Sequence, residues 1–261
     1  MTNARGVLAI FAHPDDESLV AGGTLAACAA AGLETGIVSL TRGEAGPIHD
    51  RSISRERLGY AREQELQAAR RELGAAWAQC RDYPDGSLDS EPEDRVAQEL
   101  AALLEAKHPA IVLSFGADGL YWHEDHIAVH RFVRRALELA RLDPPPERYG
   151  GTWPAGRMPE LAAEMAARGL AADLWGLEPA AFGVPAGSID TVIDVAPFVE
   201  AKLRALRCHR TQFGPGHLLA ELPDDLAARF LATEYFIRGR PGGNLARVVA
   251  GAVETRTAAD R

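Results

Sequence analysis

The chain has 261 residues, 47% of them hydrophobic and 25% charged, with a formal net charge of -9. That composition is ordinary for a soluble globular protein with enough chain to bury a sizeable core. The negative balance excludes a nucleic-acid backbone as partner, since phosphate binding needs clustered Lys and Arg. The Arg-rich stretch from Arg51 to Arg71 does not reverse this. Glu56, Glu63, Glu65 and Glu72 interrupt it, so it reads as a solvated helix face. Cys28, Cys80 and Cys208 are odd in number and widely spaced, which suggests no disulfide framework and fits a reducing cytoplasm. The apolar run near the start is cut by His13 and Pro14, too short for a signal segment or a membrane span.

In chain order, Gly6 to Ala12 is a nearly continuous apolar run, the pattern of a strand buried on both faces of a parallel sheet. It ends in His13-Pro14-Asp15-Asp16-Glu17. A helix is expected from about Gly22 to Ala31, then a strand over Thr35 to Leu40 and an amphipathic helix over 54–73. A third strand is expected over Ala76 to Tyr83, closed by the turn Pro84-Asp85-Gly86, and a helix over 93–106. Ala110 to Phe115 is a further buried strand. It leads into Tyr121-Trp122-His123-Glu124-Asp125-His126 and a helix to about Ala140. The Pro-, Gly- and Ala-rich stretch 143–188 reads as an insertion holding one short helix, about Pro159 to Arg168. A late strand over Asp190 to Val195, helices over 197–209 and 223–237, and a frayed tail after about Gly251 complete the chain. No internal repeat is seen.

Alternating strands and helices predict a Rossmann-like three-layer α/β fold, with a mostly parallel sheet and helices on both faces. Ligands bind beyond the carboxyl ends of such strands, where both polar motifs lie. The first motif crowds one imidazole and three carboxylates into five residues. Like-charge repulsion makes that costly unless a cation is present, and His with Asp favours zinc or a similar ion over calcium. The bland reading is an acidic turn capping the next helix. In the second motif, His126 falls on the apolar side of its helix with Val129, Phe132 and Val133. A lone inward His is usually a core residue; two His three apart beside carboxylates shift the balance. His126 with His130 is an alternative i,i+4 metal pair. Together the clusters supply three ligands with a fourth position open, the pattern of a catalytic zinc. A spare carboxylate can deprotonate water, and a spare His can polarise a carbonyl or protonate a leaving nitrogen.

The segment AHPDDESLVAGGTLA resembles the opening signature of the LmbE-like (PIG-L) N-deacetylases, and HEDH at 123–126 resembles that family's second motif, usually His-Pro-Asp-His. The likeness continues through REQELQAARRELG at 62–74, YPDG at 83–86 and KLRALRCHRTQ at 202–212. It implies a single LmbE-like domain over 1–261, with 143–188 as a substrate-pocket insertion. It implies a zinc-dependent hydrolase that removes an N-acyl group, acetyl above all, from an amino sugar or N-acetylglucosaminyl conjugate. Residue by residue, it implies His13, Asp16 and His126 as zinc ligands and Asp15 as general base on the zinc-bound water. His123 would stabilise the oxyanion or protonate the amine, oriented by Asp125, with Tyr121 also at the oxyanion. Arg62 and Asp85 would contact sugar hydroxyls, against a surface ion pair and a turn residue as bland readings. Glu124 departs from the family's proline and adds a negative charge beside His123.

His209 reads as a cation at a helix C-terminus. His49, His108 and His217 read as surface residues. Trp153 and Trp175 read as core under the insertion, with sugar stacking as the alternative, and Glu44 as loop or support. A nucleotide-binding Rossmann protein is disfavoured, because acidic HPDDE stands where a glycine-rich turn belongs. Two further readings stay open: an amidase on a thiol-sugar or antibiotic conjugate, and an inactive metal- or sugar-binding module. The implied partner is a small amino-sugar conjugate. No element reads as a coiled coil or interface, which leaves a homo-oligomer open.

Overall fold

A computed structural model describes residues 6–50, 52–170, 174, 176–213, 222–239 and 243–259. Arg51, Trp175 and His217 lie outside the described residues.

Three apolar runs form the centre of the sheet: β1 (Val7–Phe11), β2 (Thr35–Ser39) and β4 (Ile111–Phe115), each buried throughout. With β3 (Trp77–Cys80), β5 (Glu147–Thr152), β6 (Thr191–Asp194) and β7 (Thr233–Arg238) they make a seven-stranded sheet in the order β3-β2-β1-β4-β5-β7-β6. The first five strands in that order run parallel; β7 is antiparallel to both β5 and β6. β1 pairs with β2 on one side and β4 on the other, Val7 opposite Thr35 and Ile111. The chain winds outward in both directions from this pair, so the β1/β4 boundary is the topological switch point where such sheets open a crevice. Both polar motifs follow these two strands.

The helices form two layers. On one face α1 (Asp16–Ala30), α2 (Arg55–Glu72), α7 (Val199–Cys208) and α9 (Leu245–Ala259) pack together; on the other α3 (Glu93–Lys107) packs on α5 (Glu124–Leu139). The remaining helices are the short α4 (Gly119–Trp122), α6 (Arg157–Ala167) and α8 (Asp224–Leu231). The mostly parallel α/β fold expected from the sequence is therefore present.

Four elements depart from the expected ones. Helix α1 begins at Asp16, not near Gly22, and its two glycines lie inside it. Gly23 is there for packing: a Cβ would come within 2.5 Å of Val195. β5 falls within 143–188, so part of that stretch is a strand of the main sheet. Its Gly150-Gly151 pair weakens the strand signal, yet a Cβ on Gly151 would stand 2.2 Å from Val20 of α1. The helix expected over 223–237 ends at Leu231, and Thr233–Arg238 is β7, with Glu234 and Phe236 buried on one face. The chain after Gly251 continues as helix to Ala259.

Glu234 ties three elements together. It accepts from Lys202 Nζ of α7 at 2.6 Å and from the Gly23 and Thr24 amides of α1 at 2.8 and 2.9 Å. Both ionised side chains are almost fully buried. Cys28 is buried and all three cysteines are free. Among the described residues, no helix is long and apolar enough to cross a membrane.

Candidate active site

Residues 13–17 turn directly from β1 into α1, and residues 123–126 open α5 beyond β4. The two motifs meet at the crevice. His13 Nδ1 lies 3.2 Å from His126 Nε2; Asp16 stands 3.4 Å from the first through Oδ2 and 3.3 Å from the second through Oδ1. Each spacing is close to the ligand–ligand separation of about 3.3–3.4 Å that tetrahedral metal bonds of about 2.0–2.1 Å require. Each imidazole is anchored through its other nitrogen. His126 Nδ1 meets Gly119 O at 3.0 Å, and His13 Nε2 meets Asp85 at 2.9 Å and Asp125 at 3.2 Å. The nitrogens opposite these anchors, His13 Nδ1 and His126 Nε2, face each other beside Asp16, where a cation held through them would take the place of the proton on His13.

The electrostatics agree. Burial would lower the pKa of His13, but Asp125, Asp16 and Asp85 raise it well above its usual value. Burial takes His126 down to about 3, against the pull of Asp16. Burial would raise Asp16, yet His126 and His13 hold it below the carboxylate range. The pocket thus demands positive charge, and its mixed His and carboxylate donors fit a divalent transition ion. Ring nitrogens of His13, His123 and His126 also fall within 4.8 Å of one another, as do His13, Asp85 and Asp125. Hydrogen bonding to His13 Nε2, from Asp85 at 2.9 Å and Asp125 at 3.2 Å, accounts for the second group.

Asp15 sits at the start of α1 with φ 131°, a region L residues rarely adopt and one that marks functional sites. Its amide donates to Glu17 at 3.0 Å, and its carboxylate accepts from Arg62 Nη2 at 2.9 Å. Burial raises the carboxyl to about 7, with Arg62 restraining the rise. A group with that pKa is poised to exchange protons near neutrality. Arg62 is 3% exposed and also reaches Gly43 O at 2.8 Å and Pro14 O at 2.7 Å. It is thus not a surface ion pair; it braces Asp15 and lines the cavity. Asp85 is similarly occupied, since its second oxygen accepts from the Ala45 amide at 2.8 Å and its own amide donates to Glu44 at 3.0 Å.

His123 is the N-cap of α5, and its Nδ1 accepts from the Asp125 amide at 3.2 Å. The neutral ring therefore carries its proton on Nε2. Burial lowers its pKa, and a charged His13 lowers it further. The Asp125 carboxylate was expected to orient His123. Instead it faces inward, toward His13 Nε2, and accepts from the Gly86 and Leu88 amides at 2.8 and 2.9 Å. Orientation of His123 comes from the Asp125 backbone. The Tyr121 ring stands 5.1 Å from that of His126 and 5.8 Å from that of His123. Burial, aided by Asp16 and Asp15, keeps its hydroxyl protonated. His130 bonds Phe115 O at 3.0 Å, away from the site, which removes the His126/His130 pairing. Glu124 is exposed in the first turn of α5, where a negative charge suits the helix N-terminus as well as the family's proline does.

His209 is fully buried and meets Glu17 at 2.9 Å, behind the first motif. A tertiary ion pair thus replaces the expected helix-dipole role. Burial would lower His209 and raise Glu17; each charge reverses that for the other, so His209 is raised above 6.5 and Glu17 lowered below 4.5. Histidine's contribution is complete below 6.5 and lost as pH rises through its folded pKa. That of Glu17 is complete above 4.5 and lost as pH falls through its folded pKa. The pair should stabilise most between those limits. In chemical denaturation across pH 4–9, His209→Gln should lower the stability curve most in that window; a pH-independent loss would contradict the pairing.

The site opens into a cavity of about 500 Å³ lined by His13, Asp15, Asp16, Tyr121 and His123. Trp122, Leu177, Gln212 and Phe213 also line it; sequence reasoning missed them. Trp122 lay in plain view between two site residues, whereas Leu177 and Phe213 carry no local signal. Trp153 is core, packed between Phe182 and Phe230.

A family model described as "PIG-L: GlcNAc-PI de-N-acetylase" matches residues 8–137. The chain is 32% identical to a 1D-myo-inositol 2-acetamido-2-deoxy-α-D-glucopyranoside deacetylase of Rhodococcus opacus, covering 89% of this chain and 91% of that protein. The chain belongs to the PIG-L family. A protein of Thermomonospora curvata with the same name as the Rhodococcus one is 33% identical to the chain, covering 80% of each. Among solved PIG-L-like folds, a conserved protein of Thermus thermophilus superposes with a TM-score of 0.61 at 26% identity, covering 91% of this chain and 95% of that one. The N,N'-diacetylchitobiose deacetylase of Pyrococcus horikoshii shares the fold, with a TM-score of 0.59 at 22% identity over 90% and 84% of the two chains.

Proposed function

We propose that this protein is a zinc-dependent N-deacetylase of an N-acetylglucosaminyl conjugate, built as one catalytic domain and working in the cytoplasm. The observation that carries the reading is the triangle of His13 Nδ1, Asp16 and His126 Nε2 beside the raised carboxyl of Asp15. The names of the two bacterial relatives point to the same reaction.

His13, Asp16 and His126 would hold the ion, leaving a fourth position open. Zinc, when bound, supplies Lewis acidity that polarises an amide carbonyl and acidifies water. Asp15 takes the proton of the attacking water, helped by its elevated pKa, while Arg62 keeps the carboxylate aimed. His123 directs an Nε2 proton toward the substrate, and Tyr121 offers a hydroxyl that stays protonated. The carbonyl carbon gains the water oxygen and its bond to nitrogen breaks. The nitrogen takes a proton, leaving acetate and a free amine. A pure binding module has no need of a strained, elevated carboxylate beside the ligand set, which favours catalysis over an inactive site.

Release of free amine from the myo-inositol glycoside of N-acetylglucosamine tests the reading. It should stop on chelation and return with zinc; activity indifferent to chelation would contradict it. Asp125→Ala removes a carboxylate that fixes His13 and should weaken zinc affinity by ~10–100-fold, read by competition with a chromophoric chelator.

A further inference from the structure

Three polar side chains of the cavity are bonded within the protein. Arg62 is buried and bonded to Pro14 O, Gly43 O and Asp15. Both carboxylate oxygens of Asp85 are engaged, one by His13 and one by the Ala45 amide. Gln212 commits its side-chain amide to Pro47 O. Large apolar side chains share the lining. Trp122 is 57% exposed and Leu177 39%, and Phe213 belongs to the same lining. Exposed large apolar side chains that line a cavity are informative where scattered ones are not.

Trp122 is also held in place. Its φ is 65°, the left-handed region that favours glycine, and its indole N–H donates to Ala181 O at 3.0 Å. Backbone strain of this kind persists where the surrounding structure over-determines it. Trp122 immediately precedes His123, and both line the same cavity. Indole faces take aromatic and apolar partners by stacking and burial.

We propose that the group joined to the amino sugar in this protein's own substrate is an aryl or alkyl aglycone, seated on Trp122 with Leu177 and Phe213 beside it. This rests on the deacetylase reading. It departs from the polyol that its bacterial relatives' names specify.

The test uses the zinc-loaded full chain with the phenyl and myo-inositol glycosides of N-acetylglucosamine. The phenyl glycoside should have the higher kcat/KM by at least ~10-fold. Trp122→Ala should cut the phenyl-to-inositol ratio by about as much, through KM of the phenyl glycoside, and Trp122→Phe should retain most of it. Binding of phenyl glucosaminide, which has no acyl group to lose, is read separately by calorimetry and should weaken by a like factor in Trp122→Ala. Leu177→Ala, on an exposed loop, probes the same wall if Trp122→Ala does not fold. A wild type that prefers the inositol glycoside, or variants that leave both ratio and binding unchanged, would overturn the proposal. If neither glycoside is cleaved while phenyl glucosaminide binds through Trp122, the deacetylase reading fails and the aglycone site stands. If amine is released but the inositol glycoside is preferred, the reverse holds.

Discussion

Asp15→Asn is expected to lower kcat by ~10²–10⁴-fold while the protein keeps its metal. Asn has the shape of Asp and can still accept from Arg62, so the loop that carries it should stay in place. It cannot take a proton. Asp15 lies outside the triangle of His13, Asp16 and His126, so ion affinity should change little. Amine release and metal content are measured on the same preparation. Loss of both together would make Asp15 a ligand, and loss of neither would remove it from the chemistry. The expected size follows from the environment. Burial lifts the carboxyl to about 7, where a base is strong enough to accept a proton and still ionised enough to act.

The second large effect is on stability. Lys202→Met leaves Glu234 buried without its cation, though still bonded to the Gly23 and Thr24 amides. Removing one partner of a buried ion pair costs ~3–5 kcal/mol, because the other charge is stranded. Denaturant unfolding should show that loss, and Lys202→Met with Glu234→Gln should recover part of it. The double variant need not be weaker than the wild type, since desolvation offsets much of the attraction in such pairs. A Lys202→Met protein as stable as the wild type would contradict the pairing.

The centre of this molecule was legible because its signals are local. β1, β2 and β4 are unbroken apolar runs, and α5 has a regular apolar stripe. Two polar motifs after two buried strands belong at one edge of the sheet, and the two strands are neighbours, which brings the motifs together; the choice of His13, Asp16 and His126 within them came from the resemblance to the PIG-L family. What escaped notice depends on contacts distant in sequence. β5 carries two glycines whose purpose appears only when α1 lies against them. Glu234 interrupts a helix-like stretch as the buried partner of Lys202, and β7 forms around it. The direction of a side chain is equally invisible from motif spacing. Asp125 lies two residues from His123, but its carboxylate serves His13, 112 residues away. Arg62 has the look of a surface residue in an Arg- and Glu-rich helix, yet it points through the floor of the site.

Zinc titration of metal-stripped protein, with bound metal counted per chain, tests the central claim most directly. The wild type should take up one zinc per chain at the shared focus of His13, Asp16 and His126, and His126→Ala should lose it while remaining folded by circular dichroism. A wild type that binds no zinc, or a His126→Ala variant that binds it as tightly, would contradict the account.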